Sequence, residues 1–438
     1  MVNHDSCECS VTDVFDPSQL HAQARRVRRA ARELARQPGA LRDDALLHMA
    51  RALRAHTDAI LSANQADLEA ARASGLEDSF IDRLRLSPER IEQMACALDE
   101  VRALPDPLGG YDEMWMRPNG LQVAKKRIPL GVIGIIYEAR PNVTSDAAAL
   151  CLKSGNGVML KGGSDAFASN LAVVTALREG LQQSDLPPEA CEAIGFVETR
   201  QREATAHLLT LSDAIDVIIP RGGKGLIQFV HQHSRIPVIK HDEGVCHLVV
   251  DGSASPETVE RVVLNAKVQR PGVCNAAETL LFTESALEEH VPRCLKSLSE
   301  AGVRLHLCPA SAAIARAANI DFCEATDDAY AAEFLSLELA VRVVADLDEA
   351  IAHIDRFGSR HSEALLTESY AQSQRFIDAV DSSVVLINAS TRFSDGGQLG
   401  LGAEIGISTT RMHAYGPMGL KELTTTKFVV LGTGQIRE

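Results

Sequence analysis

Apolar residues recur at helical spacing through the first quarter of the chain, between residues 17 and 103. Leu46, Met49 and Leu53 illustrate the spacing, and Asp16 before Pro17 is a typical start for a helix. The pattern predicts about three helices that end at the Pro- and Gly-rich loop 105–110. Beyond it, a Pro-Asn-Gly sequence at 118–120 separates two extended segments, which predicts a β-hairpin.

From residue 128 onward, short apolar runs alternate with helical patterns. The strands predicted up to residue 251 are 131–137, 158–161, 214–220, 238–240 and 247–250, with helices at 145–152 and 170–181. A second alternating segment, 258–405, contains a predicted helix at 259–266 and strands at 278–282, 339–344 and 384–388. Short buried strands that alternate with helices are typical of parallel sheets covered by helices on both faces, so we predict an α/β fold.

The composition is that of a globular protein and disfavours several functional classes. The 44 basic and 59 acidic residues give a net charge of −15, which argues against a nucleic-acid-binding face but not against a local basic cluster. No apolar run approaches the roughly 18 residues of a membrane span, and the acidic N-terminus does not resemble a secretory signal. The ten dispersed cysteines include no C-x-x-C pair, which predicts thiols in a reducing cytoplasm. The histidines form no ligand pattern, so no catalytic metal is expected.

Two glycine-rich turns follow predicted strands, at the sheet edge where open α/β folds bind nucleotides. They are Lys161-Gly162-Gly163-Ser164 and Arg221-Gly222-Gly223-Lys224-Gly225, the second of which precedes a helix. Glycines let backbone N–H groups approach an anion, and a helix N-terminus favours negative charge. The alternative for each is an ordinary turn with a solvated cation. A third glycine-rich segment, 400–406, has the wrong spacing for a dinucleotide fingerprint and is interpreted as a mobile loop.

Cys274 lies on a predicted loop between a helix and a strand, in the sequence Gln269-Arg270-Pro271-Gly272-Val273-Cys274-Asn275. A loop cysteine near positive charge is favoured as the nucleophilic thiolate. The alternative is an inert buried cysteine, which is the more common state of this residue type. The chain has no G-x-S-x-G elbow, which disfavours an α/β-hydrolase.

Taken together and in this order, these motifs resemble the aldehyde dehydrogenase superfamily. The resemblance covers about residues 17–438 and includes two further segments, Tyr137-Glu138-Ala139-Arg140-Pro141-Asn142-Val143-Thr144 and His413-Ala414-Tyr415-Gly416-Pro417-Met418-Gly419-Leu420. It implies N-terminal helices and a Rossmann-type, NADPH-binding domain over residues 17–267, and a second α/β catalytic domain over residues 268–405. It also implies a β oligomerisation arm and C-terminal segment from residues 112–128 and 406–438.

The resemblance implies roles for individual residues. Cys274 matches the superfamily nucleophile, and Asn142 matches the asparagine whose amide contributes to the oxyanion hole. Lys161 matches a lysine that contacts the adenosine ribose, and Glu333 matches a glutamate that binds the nicotinamide ribose. The cofactor site also takes in the glycine-rich turns, with Gly162, Gly163, Ser164, Gly222, Gly223 and Gly225. Ser164 stands where NAD-preferring relatives carry a glutamate, which favours NADPH. Arg140 and Arg270 are candidates for binding the anionic substrate, with ion pairs inside the fold as the alternative.

The implied reaction is the NADPH-dependent reduction of L-glutamyl 5-phosphate to L-glutamate 5-semialdehyde through a cysteine thioester, the second step of proline biosynthesis. Hydrolytic members carry a general-base glutamate where an ungapped match places Lys240, and Glu243 substitutes only if the match shifts locally. The alternatives are a hydrolytic or CoA-acylating NADP-dependent aldehyde dehydrogenase, and a non-catalytic nucleotide-binding protein. The expected partners are the small-molecule acyl phosphate, further copies of the chain and, transiently, glutamate 5-kinase, with no nucleic acid and no membrane.

Overall fold

The computed structural model describes residues 15–240 and 243–437. The sequence-based expectations for the N-terminal residues, including Cys7 and Cys9, fall outside this part, as do His241 and Asp242. The chain divides into two compact units. Unit 1 runs to Gly222 and also contains Phe229–Val238 and the C-terminal segment from Leu423, whereas unit 2 contains Gly223–Gln228 and Ile239–Glu422.

Unit 1 begins with five helices where the sequence predicted about three. They are α1 (Pro17–Leu34), α2 (Gly39–Ala55), α3 (Thr57–Ala73), α4 (Asp78–Leu84) and α5 (Pro88–Ala103). The Asp16 side chain caps α1 by accepting the Ser18 N–H at 2.8 Å, as its position before Pro17 predicted. The estimate of three helices was wrong because apolar spacing continues across the breaks: His56 alone separates α2 from α3.

The predicted hairpin is confirmed. Strands β1 (Tyr111–Met116) and β2 (Gln122–Pro129) pair in antiparallel fashion. Gly120 lies between them with a φ of 85°, and its N–H donates to the Arg117 carbonyl at 2.9 Å. This left-handed backbone conformation favours glycine and closes the turn.

A four-stranded parallel sheet follows in unit 1, with strand order β5-β4-β3-β6. Its strands are β3 (Val132–Tyr137), β4 (Gly157–Lys161), β5 (Ile194–Phe196) and β6 (Val217–Arg221). The helices of this region are α6 (Asn142–Lys153), α7 (Phe167–Gln182), α8 (Arg202–Leu208) and α9 (Lys224–His233). The predicted strand 238–240 was wrong, because Val238 forms only an isolated bridge with Ile218, and Pro237 has no N–H to donate to a ladder.

Unit 2 contains a seven-stranded parallel sheet with strand order β10-β9-β11-β8-β7-β12-β13. Its strands are β7 (Cys246–Val250), β8 (Ala277–Thr283), β9 (Arg304–Leu307), β10 (Cys323–Glu324), β11 (Glu338–Val344), β12 (Ser362–Leu366) and β13 (Val384–Ile387). The helices are α10 (Pro256–Val268), α11 (His290–Glu300), α12 (Pro309–Ala317), α13 (Asp327–Tyr330), α14 (Leu347–Phe357) and α15 (Tyr370–Ala379). The short strands β14 (Ile407–Ser408) and β15 (Gly416–Pro417) pair separately.

Successive residues of β7 point to opposite faces of this sheet. Leu248 and Val250 join a core cluster with α10, α11 and α12, whereas Val249 joins a second cluster with α14 and α15. Helices therefore cover both faces, as the continuous apolar strands predicted. The boundary placed after residue 267 differs from the structure, because β7 and α10 already belong to unit 2. Alternation of strands and helices does not reveal which sheet a given strand joins.

The last strand, β16 (Thr424–Leu431), returns to unit 1 and pairs antiparallel with β2 over its whole length. The resulting three-stranded sheet, with order β1-β2-β16, is called the arm. Its surface carries exposed apolar side chains, among them Met114, Met116, Phe428 and Val430. Across the described residues, we find no helix with the length and apolar character needed to cross a membrane.

Candidate active site

In unit 1, Lys161 ends β4 at the carboxyl edge of the parallel sheet. The side chain is 5% exposed, and its Nζ donates to the Gly162 carbonyl at 2.9 Å. Burial lowers the pKa of Lys161, because the charged form loses its hydration. This burial rules out the alternative of a solvated lysine. A buried ammonium group has three donors, so it fits a ligand that supplies ribose hydroxyls or phosphate oxygens.

A side chain would be accommodated differently at different glycines of the two turns. A Cβ at Gly162 would lie 2.2 Å from Nδ2 of Asn170, so a larger residue there would require the buried Asn170 side chain to shift. A Cβ at Gly163 would make ordinary contacts, the nearest at 3.4 Å, and one at Gly225 would meet nothing within 4 Å. Neither of these glycines is required by packing, and both leave the backbone accessible to a bound nucleotide.

The other residues proposed for the cofactor site lie at the ends of secondary-structure elements. Ser164 is exposed and begins the 3₁₀ turn Ser164–Ala166 directly after Gly163. Gly222 follows β6, and the Gly223 carbonyl accepts the Ile227 N–H at 3.2 Å as α9 begins. The N-terminus of this ten-residue helix offers N–H donors to an anion.

Asn142 is the first residue of α6, at the end of the loop that follows β3. It is exposed, and its Nδ2 donates to Oδ2 of Asp146 at 3.0 Å. The amide has two N–H donors, so one bond to Asp146 orients the side chain and leaves a second donor. Burial raises the pKa of Asp146 to about 6, against the opposing effects of the Asn142 bond and the Arg221 charge. Arg140 is also exposed, two residues before Asn142.

The raised pKa of Asp146 makes a prediction about stability. A carboxyl whose folded-state pKa exceeds its unfolded-state value stabilises the fold at low pH, and this contribution is lost as pH rises through the folded-state pKa. Asp146→Asn is therefore expected to gain stability relative to the wild type between pH 4 and pH 7, by up to about 2 kcal/mol. Thermal unfolding across this range measures the effect, and parallel curves for the two proteins would contradict it.

In unit 2, Cys274 lies on the loop between α10 and β8, where the sequence placed it. The residue is half-buried and forms no disulfide. Its carbonyl accepts the thiol of Cys246 with an Sγ–O distance of 3.2 Å, and a Cβ at Gly244 would lie 2.1 Å from the same oxygen. The start of β7 therefore packs directly against the backbone of Cys274.

Four of the other described thiols are poorly suited to ionise. Burial raises the pKa of Cys294 to about 12 and that of Cys246 well above its ordinary value. Burial also raises the pKa of Cys151. At the exposed Cys96, a hydrogen bond to Glu92 is the main cause of a raised pKa. These thiols are protonated and poorly nucleophilic at neutral pH. The half-buried position of Cys274 argues against the alternative of an inert core cysteine.

Glu333 lies in the segment between α13 and β11. Burial raises the pKa of its carboxyl, and a hydrogen bond from the Gly244 N–H opposes this effect. Two residues later, Leu335 has a φ of 53° and donates its N–H to Oε1 of Glu278 at 3.2 Å. The Glu333 segment is therefore anchored to the start of β7 and to β8.

A fully buried ion pair lies behind this segment. Nζ of Lys267, on α10, lies 2.5 Å from Oε2 of Glu278, on β8, and both side chains have no exposed surface. Burial lowers the pKa of Lys267 and raises that of Glu278 to about 7, and the attraction between the two charges opposes both effects. The pair fixes α10, which leads into the Cys274 loop, against the strand that leaves it.

The segment expected to replace the hydrolytic general base contains no uncommitted carboxylate among its described residues. Glu243 forms a salt bridge with Lys224. The Lys240 carbonyl accepts the Thr409 N–H and the Thr410 hydroxyl, both at 3.1 Å. His241 and Asp242, between them, lie outside the described residues. The described part of the chain also contains no group of three or more metal-ligating side chains.

Several residues of this site were not identified from the sequence. Gly244 and Cys246 lie close to Glu243 in the sequence, and Glu278 begins a predicted strand. Only the packing shows what these three residues contact. Arg392 also lies near the Cys274 loop, where its Nε donates to Oε1 of Gln269 at 2.9 Å. It follows a predicted strand by only a few residues, but nothing in the local sequence links it to Cys274. Arg270, which was identified, is exposed and forms no salt bridge with any described carboxylate.

Comparison with known proteins places these observations in a family. The model of the aldehyde dehydrogenase family matches residues 7–312. A gamma-glutamyl phosphate reductase from Geobacter metallireducens is 53% identical over 96% of this chain and 99% of its own length. The crystal structure of a gamma-glutamyl phosphate reductase from Thermotoga maritima is 43% identical, with a TM-score of 0.92 over 96% of this chain and 100% of that one. An acetylating aldehyde dehydrogenase from Geobacillus thermoglucosidasius, at 15% identity and a TM-score of 0.67 over 96% of this chain and 98% of that one, shares the fold.

Proposed function

The chain belongs to the aldehyde dehydrogenase family and, within it, to the gamma-glutamyl phosphate reductases, and we propose that it catalyses the reaction for which these relatives are named. In this reaction L-glutamyl 5-phosphate is reduced by NADPH to L-glutamate 5-semialdehyde with release of phosphate, as the second step of proline biosynthesis. The observation that carries the proposal is the half-buried loop cysteine Cys274, held at its backbone by Gly244 and Cys246, in a chain 53% identical to such a reductase.

The proposed chemistry proceeds through a thioester. The Cys274 thiolate attacks the acyl carbon, the carbonyl oxygen takes up negative charge, and phosphate leaves with the electrons of the broken C–O bond. Asn142 is the proposed side-chain donor to this oxygen, and a donor of this kind contributes about 3–4 kcal/mol to stabilising the transition state. When bound, the nicotinamide cofactor supplies a hydride to the acyl carbon. The resulting oxyanion then collapses, expels the Cys274 thiolate and leaves the aldehyde.

The proposed cofactor is NADPH, and three residues support it. Lys161 is a buried cation suited to a ribose hydroxyl or a phosphate, and Ser164 is small and exposed, which leaves room for a 2′-phosphate. Glu333 is the proposed partner of the nicotinamide ribose. Its raised pKa and its bond from Gly244 describe a carboxyl in a partly desolvated position, where a hydroxyl donor would replace lost hydration.

The arrangement of Glu243 favours phosphate over water as the partner of the thioester. A hydrolytic enzyme needs a carboxylate that takes a proton from water. Glu243 is engaged by the Lys224 ammonium, which occupies its carboxylate as an acceptor. A reductase that releases phosphate has no use for such a base, because hydrolysis would destroy its intermediate. The hydrolytic alternative is therefore not favoured, and the 53% identity to a gamma-glutamyl phosphate reductase disfavours the CoA-acylating one.

Dependence on phosphate in the reverse direction tests the proposed function. The substrates are glutamate semialdehyde and NADP⁺, with and without inorganic phosphate, and reduction of NADP⁺ is followed by absorbance. We expect turnover only when phosphate is present. Turnover of equal rate without phosphate would identify a hydrolytic dehydrogenase, and turnover that requires coenzyme A instead would identify an acylating one.

The arm is the proposed oligomerisation surface. Met114, Met116, Phe428 and Val430 are each more than half exposed, and a monomer would leave this apolar surface in water. We expect the wild type to have the light-scattering mass of a dimer or larger assembly, and Phe428→Asp to lower this mass because it would place a charge in the interface. Lys427→Asp, on the same strand, is the matched control for the charge change. A monomeric wild type would contradict the assignment.

The cytoplasm is the proposed location, in agreement with eight described cysteines that form no disulfide. The acyl phosphate is chemically unstable in water, which favours transient contact with the glutamate 5-kinase that produces it. Co-sedimentation of the two enzymes during turnover tests this contact.

A further inference from the structure

Two hydrogen bonds attach a short segment of unit 2 to the Cys274 loop, one on each side of the cysteine. Before Cys274 in the sequence, Oε1 of Gln269 accepts from Nε of Arg392 at 2.9 Å. After Cys274, Nδ2 of Asn275, a side chain that is 5% exposed, donates to the Ser394 carbonyl at 2.8 Å. These two bonds therefore hold the 3₁₀ turn Thr391–Phe393, which carries Arg392, beside the loop of the nucleophile.

The charge of Arg392 is not neutralised by a salt bridge within the described residues. Its guanidinium group is half-buried and forms no salt bridge with any carboxylate among the described residues. Burial lowers the pKa of Arg392, and the nearby positive charge of Arg270 lowers it further, whereas Asp395 and Cys274 raise it. A half-buried arginine next to a second arginine is unfavourable unless an anion is also present.

The geometry of the bond to Gln269 determines which part of Arg392 is available. The side-chain Nε is used within the protein, which leaves the Nη donors, at the far end of the guanidinium plane, for another acceptor. A guanidinium presents these donors in a fork that matches two oxygens of a phosphate or a carboxylate. In a chain with a net charge of −15, a pair of arginines beside the nucleophile provides local attraction for an anionic substrate.

We propose that Arg392, oriented by Gln269, binds an oxyanion group of the substrate together with Arg270, at the site that contains Cys274. This inference rests on the proposed function, since the substrate there carries two such groups, the acyl phosphate and the α-carboxylate. Arg392 is a specificity-determining residue in this account. It selects an anionic acyl donor and does not take part in bond making.

The test compares Arg392→Gln and Arg392→Lys with the wild type in the reverse reaction. KM is measured separately for inorganic phosphate, for glutamate semialdehyde and for NADP⁺. We expect Arg392→Gln to raise KM for one of the two anionic substrates by about 10- to 100-fold, the loss expected for a charge-assisted hydrogen bond, and KM for NADP⁺ by less than about twofold. Arg392→Lys keeps the charge but not the fork, and it is expected to recover part of the loss. Arg316→Gln, at an exposed position of α12, is the matched control.

The two sources of the oxyanion give different results. A rise in KM for phosphate alone places the phosphate at Arg392. A rise in KM for glutamate semialdehyde, but not for an aldehyde of the same length without the α-carboxylate, places the carboxylate there. Unchanged values for both, or an equal rise for NADP⁺, would overturn the proposal. An altered rate of Cys274 alkylation by iodoacetamide with unchanged KM values would also overturn it, because Arg392 would then act on the thiolate.

Direct binding separates this inference from the proposed function. Binding of inorganic phosphate and of L-glutamate to proteins with and without Arg392→Gln is measured by calorimetry, without turnover. One outcome is that the wild type binds the anion without any activity on glutamate semialdehyde, while Arg392→Gln does not bind the anion. In that case the oxyanion site stands and the proposed reaction fails. If activity is as proposed but neither the anion binding nor the KM values depend on Arg392, the reaction stands and this inference fails.

Discussion

Replacement of Cys274 by alanine is expected to lower kcat of the phosphate-dependent reaction by at least about 10⁴-fold. Without the thiol there is no acyl-enzyme, and the remaining donors and charges cannot transfer the acyl group from phosphate. KM for NADP⁺ should change little, because Cys274 is not among the residues proposed to bind the nucleotide. Steady-state kinetics of the purified variant measures both effects.

Cys191→Ala is the matched control for this variant. Cys191 is also half-buried and forms no disulfide, but it lies in unit 1 just before β5 and has no role in the proposed chemistry. Its loss should leave kcat within about twofold of the wild type. A Cys274→Ala variant with more than about a tenth of the wild-type rate would show that another group carries the reaction.

Replacement of Lys267 by methionine is expected to give the largest loss of stability, about 3–5 kcal/mol at pH 8. The substitution keeps the length of the side chain but leaves the Glu278 carboxyl buried without its cation. Burial already raises the pKa of Glu278 to about 7 beside Lys267, so loss of the lysine raises it further. The expected loss of stability therefore grows as pH rises from 5 to 8. At higher pH the folded variant must either keep Glu278 protonated or bury its charge, whereas the unfolded chain ionises it freely.

The double variant Lys267→Met with Glu278→Leu distinguishes this cause from a general packing defect. It removes both charges and should recover most of the stability lost by Lys267→Met, although Leu335 loses its hydrogen-bond acceptor. Denaturant unfolding at pH 5 and pH 8 measures all three proteins. A loss that is independent of pH and is not reduced in the double variant would show that the buried charges are not its origin.

The helical character of the N-terminal region, the hairpin and most central strands of the fold were predictable from the sequence, because their patterns are local. Pro118, Asn119 and Gly120 specify a turn by their own backbone preferences, and the strand at 278–282 is bounded by polar residues. What could not be predicted is which strands pair. β7 was read along the chain as part of the first sheet, but it lies between β8 and β12 of the second. The two-residue strand β10 has too few residues to show a pattern at all.

The residues of the proposed site likewise fall into those that local sequence reveals and those that only the packing reveals. Cys274, Asn142 and Lys161 stand in motifs whose residues are contiguous, so a sequence comparison finds them. Arg392 contacts Gln269 and Glu278 contacts Leu335, both far along the chain, and no local pattern encodes such contacts. Gly244 directly follows Glu243, but its requirement for glycine comes from the carbonyl of Cys274, which approaches it across a loop.

The most direct test of the central claim is to isolate the acyl-enzyme. The protein is mixed with acyl phosphate generated in place from glutamate, ATP and a kinase, without nicotinamide cofactor, and is quenched in acid before mass spectrometry. We expect a glutamyl adduct on the peptide that contains Cys274, which is lost when NADPH is added before the quench. Absence of any adduct while the same preparation turns over with NADPH, or an adduct on a different cysteine, would contradict it.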